Sequence, residues 1–151
     1  MERELEQLTA LNGVEGAFLC DNRGEVIVSS SPAVLATVTM NTIGREVARA
    51  FVALQAGGIP ASRLDLTYSS WRLLAVDIGD AVLFVITQPA VDMAMVRMTA
   101  DVVTAAWKKD PAARKRLEKH RAERAQLLSR TALDPGSWTS WTAIAHRAHQ
   151  P

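Results

Sequence analysis

"LDLTYSSWRLLAVDIGDAVLFVIT", residues 64–87, packs three apolar runs and two turn signals into one short stretch. Leu64, Leu66 and Tyr68 alternate with Asp65 and Thr67, the period of a strand with one buried face. Ser69-Ser70 turns the chain, Trp71 to Ile78 returns it, Gly79-Asp80 turns it again, and Ala81 to Thr87 closes a meander. The patterns also rank the strands. Ala81 to Ile86 is apolar at consecutive positions and should be central and covered on both faces, whereas the alternating 64–68 should be an edge.

Upstream, "LNGVEGAFLCDNRGEVIVSS", residues 11–30, reads as a hairpin. Its first strand runs from Val14 to Cys20, turns at Asp21-Asn22-Arg23-Gly24, and returns over 25–29 with Val26 and Val28 on one face. Residues 17–20 carry the signature of a central strand and 25–29 that of an edge. Ahead of the hairpin, Leu5, Leu8 and Leu11 define an amphipathic helix over 2–12 that stops at Asn12-Gly13. Between hairpin and meander, Ser29-Ser30-Ser31-Pro32 breaks the chain, and a long helix follows over 34–56, ending at Gly57-Gly58. One face carries Met40, Ile43, Val47, Ala50, Phe51 and Leu54, and a second carries Val38, Ala48 and Val52. A helix apolar on two sides is either deeply buried or has a second partner. A third helix, about 90–108, has Val91, Met95, Met98 and Val102 on one stripe.

The element order is α-β-β-α-β-β-β-α. With the two fully apolar strands side by side and both hairpins antiparallel, the expected architecture is an α/β fold with a five-stranded antiparallel sheet of order 2-1-5-4-3 and helices on both faces.

These features together resemble the roadblock/LC7 domain family, a profilin-like fold whose bacterial members include the MglB-type regulators of Ras-like GTPases. The resemblance is carried by the leader "LEQLTALNGVEGAFLCDNRGEVIVSS", the long helix after the Ser-rich break, the meander, and a last helix opening "PAVDMAMVRM", and it covers about 2–105. It implies a homodimer or heterodimer formed by pairing the third strand's edge and packing the long second helices side by side. On this chain the implied interface is Met40, Ile43, Val47, Phe51 and Leu54 on the helix, with Leu64 and Leu66 on the strand. It also implies a scaffold or regulator of a small GTPase that does not itself hold GTP through a phosphate loop. The alternatives are a signalling adaptor that leaves GTP turnover unchanged, or a small-ligand sensor of PAS-like or profilin-like shape.

Searching for chemistry gives little. No G-x-x-x-x-G-K-[ST] or G-x-S-x-G occurs, and Gly57-Gly58 ends a helix rather than opening one. His120, His146 and His149 lie in the last third of the chain without a third ligand in view, and single Cys20 reads as a small apolar residue on a strand. No enzyme activity, metal or cofactor is expected, and Arg23, Arg45, Arg49, Arg63 and Arg72 offer no residue singled out as an arginine finger. An acidic N-terminus and the lack of an apolar run of about 20 residues imply a cytoplasmic protein with no membrane span.

The net charge of +1 conceals a division. Residues 1–107 hold 7 basic and 12 acidic side chains, and 108–151 hold 10 and 4. A domain over 1–107 and a basic helical tail over 108–151 are expected, the tail helix opening at Asp110-Pro111 with a capping acid and a proline at its first position. This helix has few large apolar groups to bury. Beyond it, "SWTSWTAIAHRAHQ" places Trp138, Trp141 and Ile144 on one side of a short helix. Two indoles that could each bury on the order of 200 Å² should dock, on the body or a dimer mate, on a partner such as the GTPase, or on a membrane surface. Nucleic acid is a minor option with so small a net charge.

Overall fold

The structure, a computed structural model, describes residues 1–30 and 36–132. Its elements are α1 (Glu2–Thr9), β1 (Val14–Asp21), β2 (Val26–Ser30), α2 (Thr37–Ala56), β3 (Arg63–Thr67), β4 (Arg72–Asp77), β5 (Ala81–Thr87), α3 (Met93–Lys109) and α4 (Pro111–Ala132). The strands form one antiparallel sheet in the order β2-β1-β5-β4-β3, as the apolar runs require. Every residue of β5 is buried and none of β3 is, which is the difference between continuous and alternating apolar patterns made physical.

Two cores lie on the two sheet faces. On one, Leu5 and Leu8 of α1 and Val96, Val103 and Trp107 of α3 pack on Leu19, Leu74, Leu83 and Val85. On the other, Met40, Val47 and Phe51 of α2 cover Phe18, Leu73, Phe84 and Ile86. Phe18 and Phe84 face each other across β1 and β5 and stack with ring centroids 4.8 Å apart. Each such buried aromatic contributes roughly 2–3 kcal/mol of apolar transfer.

Two of the sequence features fall differently in the structure. α1 ends at Thr9, three residues before Asn12, because the backbone tightens into turns that lead to Gly13 at φ +90°. On α3, the stripe Val91, Met95, Met98 and Val102 is not the packed face. The buried set is Met93, Val96, Ala100, Val103, Thr104 and Trp107, the last being the largest fully buried side chain among the described residues, while Met95, Met98 and Val102 face solvent. Both sets have helical spacing, and burial of the indole selects between them.

α4 begins as the sequence suggests. Asp110 Oδ1 accepts from Ala112 N at 2.9 Å, and Pro111 occupies the first turn. It buries more than its composition implies, because Ala113 is 2% exposed within the α1/α3 core and Leu117 packs against it. Trp138, Trp141, Ile144, His146 and His149 lie outside the described residues.

Candidate interaction surface

α2 is held to the sheet by a backbone approach. The β1–β2 turn is built by Asp21, whose Oδ1 accepts from Arg23 N and Glu25 N, both at 2.9 Å, with Gly24 at φ +84°. α2 crosses the tip of this hairpin at Gly44. A Cβ on Gly44 would meet Cys20 Sγ at 2.8 Å and Gly24 Cα at 2.9 Å, and one on Gly24 would meet Arg45 N at 2.3 Å. Asn41 Oδ1 accepts from Val26 N at 3.1 Å and fixes the same crossing. The sequence reading missed Gly44; the signal that could have found it is a glycine inside a helix, which costs about 1 kcal/mol against alanine and so points to a packing reason.

So seated, α2 presents three sides. Met40, Val47 and Phe51 point into the chain's own core, so of the seven residues implied as an interface these three are already covered within one copy. Ile43 and Leu54 are half-buried on one flank. Leu64 and Leu66 are half-buried on the same sheet face, since they pair with Ala75 and Leu73, and Ile43, Leu64 and Leu66 pack against the α2 core. Among the described residues, the outer edge of β3 has no neighbouring strand in the sheet. The structure therefore leaves partly covered apolar groups beside an open strand edge, a combination that favours pairing with another chain.

The other flank of α2 carries Ala48, Val52 and Gln55. With Phe51, Ile59, Val82, Asp77 and Gly79 it lines a cleft of about 510 Å³ at the sheet end. Val52 is 66% exposed and Ile59 55%.

On the opposite sheet face the edge strand is tied down by charge. Asp65 accepts from Arg72, with Nη2 3.2 Å from its Oδ2, and from Arg97 of α3, while Arg63 pairs with Asp101. Arg63 and Arg72 are thus engaged in holding β3 to α3 and β4, and Arg49 pairs with Glu46 at 3.2 Å. Arg23 and Arg45 flank the hairpin tip. Sequence reading did not reveal this network, because its partners lie on three elements.

α4 reaches the same end of the sheet as the cleft. Arg116 bonds Glu2 at 2.6 Å, Arg121 bonds Asp80 at 2.9 Å, and His120 Nδ1 lies 3.7 Å from Asp21 Oδ2. The bond from the Arg116 guanidinium holds the Glu2 carboxyl below the usual carboxylate range. Cys20 is buried beneath Gly44, and burial, followed by the Asp21 carboxylate, pushes its thiol up to about 12, far from a reactive thiolate. Among the described residues no group of three metal-ligating side chains comes together, and no helix is long and apolar enough to cross a membrane.

A helix, a hairpin, a long crossing helix, a meander and a closing helix around a 2-1-5-4-3 sheet constitute the roadblock/LC7 fold, in its MglB-like form. No family model matches the sequence, and no curated protein is similar to it. Solved structures are. MglB of Myxococcus xanthus superposes with a TM-score of 0.60 at 17% identity, over 69% of this chain and 88% of that one. An MglB in a tetrameric arrangement gives 0.61 at 18%, over 78% and 87%. A roadblock/LC7 domain from Streptomyces avermitilis gives 0.56 at 14%, over 72% and 94%.

Proposed function

We propose that the chain is a non-enzymatic, dimeric regulator or scaffold that binds a small Ras-like GTPase in the cytoplasm and modulates its GTP hydrolysis or localisation. The observation that carries the dimer is the open β3 edge beside half-buried Leu64, Leu66, Ile43 and Leu54. Two copies joined edge to edge would continue the sheet, and the facing flanks of α2 would cover these groups. Met40, Val47 and Phe51 would support that interface from beneath rather than touch the partner. The GTPase is what the resemblance to the roadblock/LC7 family implies, the MglB-like fold supports that reading, and the solved MglB tetramer is in keeping with self-association.

In this reading residues 1–107 are the platform and 108–151 a basic tail that adjusts partner contact or assembly. The second reading, an adaptor that recruits partners without altering GTP turnover, uses the same surface. The deciding experiment is single-turnover GTP hydrolysis by a small GTPase captured with this protein, measured with and without it. A changed rate supports the regulator, stable binding at an unchanged rate supports the adaptor, and absence of any GTPase among the captured proteins removes the GTPase from both.

A further inference from the structure

Residues 1–107 hold only seven basic side chains, and the structure divides them by use. Arg63, Arg72 and Arg97 are taken up by Asp65 and Asp101. Arg23, Arg45 and Arg49 are exposed together where the outer flank of α2 meets the tip of the β1–β2 hairpin. Arg23 and Arg45 form no ion pair among the described residues. Arg49 pairs with Glu46 at 3.2 Å, with both side chains mostly in water, and so exposed a pair is weak and exchanges partners readily.

Two concavities meet at these arginines. A polar one of about 200 Å³ lies between Arg23, Glu25, Asn41 and Arg45. An apolar one of about 420 Å³ shares Arg23 and Arg45 and runs on beside Ala48, Val52 and Ala53. Between them they set three arginines against one carboxylate, Glu25. Along α2, Arg45, Ala48 with Arg49, and Val52 follow at i, i+3/i+4 and i+7, so charge leads and an apolar strip follows about 10 Å along the axis. Val52 is exposed at the far end of that strip, an apolar side chain with cations on its approach.

A groove of this kind selects its occupant by charge. A second copy is a poor match among its described elements: α4 is basic, and acidic α1 has Leu5 and Leu8 wholly buried in its own core. We propose that this flank receives an acidic amphipathic helix of a different protein. Its carboxylates would meet Arg23 and Arg45, and apolar side chains one to two turns further on would cover Ala48 and Val52. The inner flank of α2 and the β3 edge stay free, so this contact is additional to self-association.

Fluorescence anisotropy with the full chain tests this. The probe is a labelled synthetic helical peptide with leucine at i, i+3 and i+7 and glutamate and alanine elsewhere. Saturable binding that weakens with added salt is expected. Arg45→Glu/Arg49→Glu and, separately, Val52→Asp should each weaken it about tenfold, and all three positions are exposed, so the fold is spared. Leu64→Asp/Leu66→Asp should leave it unchanged. No saturable binding overturns the proposal, as does equal binding of the same peptide with lysine for glutamate. An affinity lost with the β3 variant also overturns it, because the groove would then belong to the contact between copies. Binding of phosphatidylglycerol vesicles in place of the peptide overturns it in favour of an anionic membrane surface.

Discussion

The two faces of one sheet are covered unequally. Over Leu19, Leu74, Leu83 and Val85 lie α1, α3 and the first turns of α4, and the principal side chains there are wholly buried. Over Phe18, Leu73, Phe84 and Ile86, α2 is the one helix among the described residues, and half-buried Ile43, Leu64 and Leu66 pack at the margin of that core. Both faces have comparably apolar strands, so the difference lies in how much chain is available to cover them. A face covered by three helices stabilises the fold, and a face covered by one stabilises it while leaving apolar area for a partner.

The comparison can be broken at several points. Trp107→Ala removes the largest fully buried side chain of the closed face and should cost about 3–5 kcal/mol, read as a lowered urea midpoint. Gly44→Val on the other face should cost about 2–3 kcal/mol by forcing α2 off the hairpin tip, and the same measurement checks it. A value near zero would mean that the crossing is compliant. Leu64→Asp/Leu66→Asp, at half-buried positions, should leave a folded chain destabilised by about 1–2 kcal/mol and abolish self-association in sedimentation; an unchanged mass would show that β3 is not the joining edge. Arg116→Ala should cost less than about 1 kcal/mol, since that pair is solvent-exposed, and should raise exchange in the first turns of α4.

The same ion pair gives a pH dependence with a definite sign. The Glu2 carboxyl is lowered in the folded chain, so its contribution to α4 docking is present above the ordinary carboxylate pKa and is lost as pH falls through the lowered value. Exchange in α4 should rise on acidification in that window, and Arg116→Ala should remove the response.

Strand order was legible because the distinction between continuous and alternating apolar runs is local and periodic. Helix faces were less so. On α3 two stripes, offset by a couple of residues, had equal spacing, and burial of the one that carries Trp107, in the same core as residues of α1 and α4, separates them. On α2 the residues with the strongest periodicity, Met40, Val47 and Phe51, are the ones its own sheet claims, whereas the weaker second face noted in the sequence contributes Ala48 and Val52 to the cleft. The Asp65, Arg72 and Arg97 cluster and the approach of Gly24 to Gly44 join residues distant in sequence, and no window along the chain contains them.

The charge division looks different once α4 is in place. Arg116, His120 and Arg121 lie against Glu2, Asp21 and Asp80, while Arg114, Lys115 and Lys119 on the same helix remain exposed. Exposed positive charge is thus concentrated on α4, beside a body over 1–107 with 12 acidic and 7 basic side chains, and so uneven a distribution sets up an electric field around the molecule despite a net charge of +1. A charged protein approaching in solution would be turned by that field before any side chain touches, an influence on encounter rate and orientation that fades as salt shortens its range.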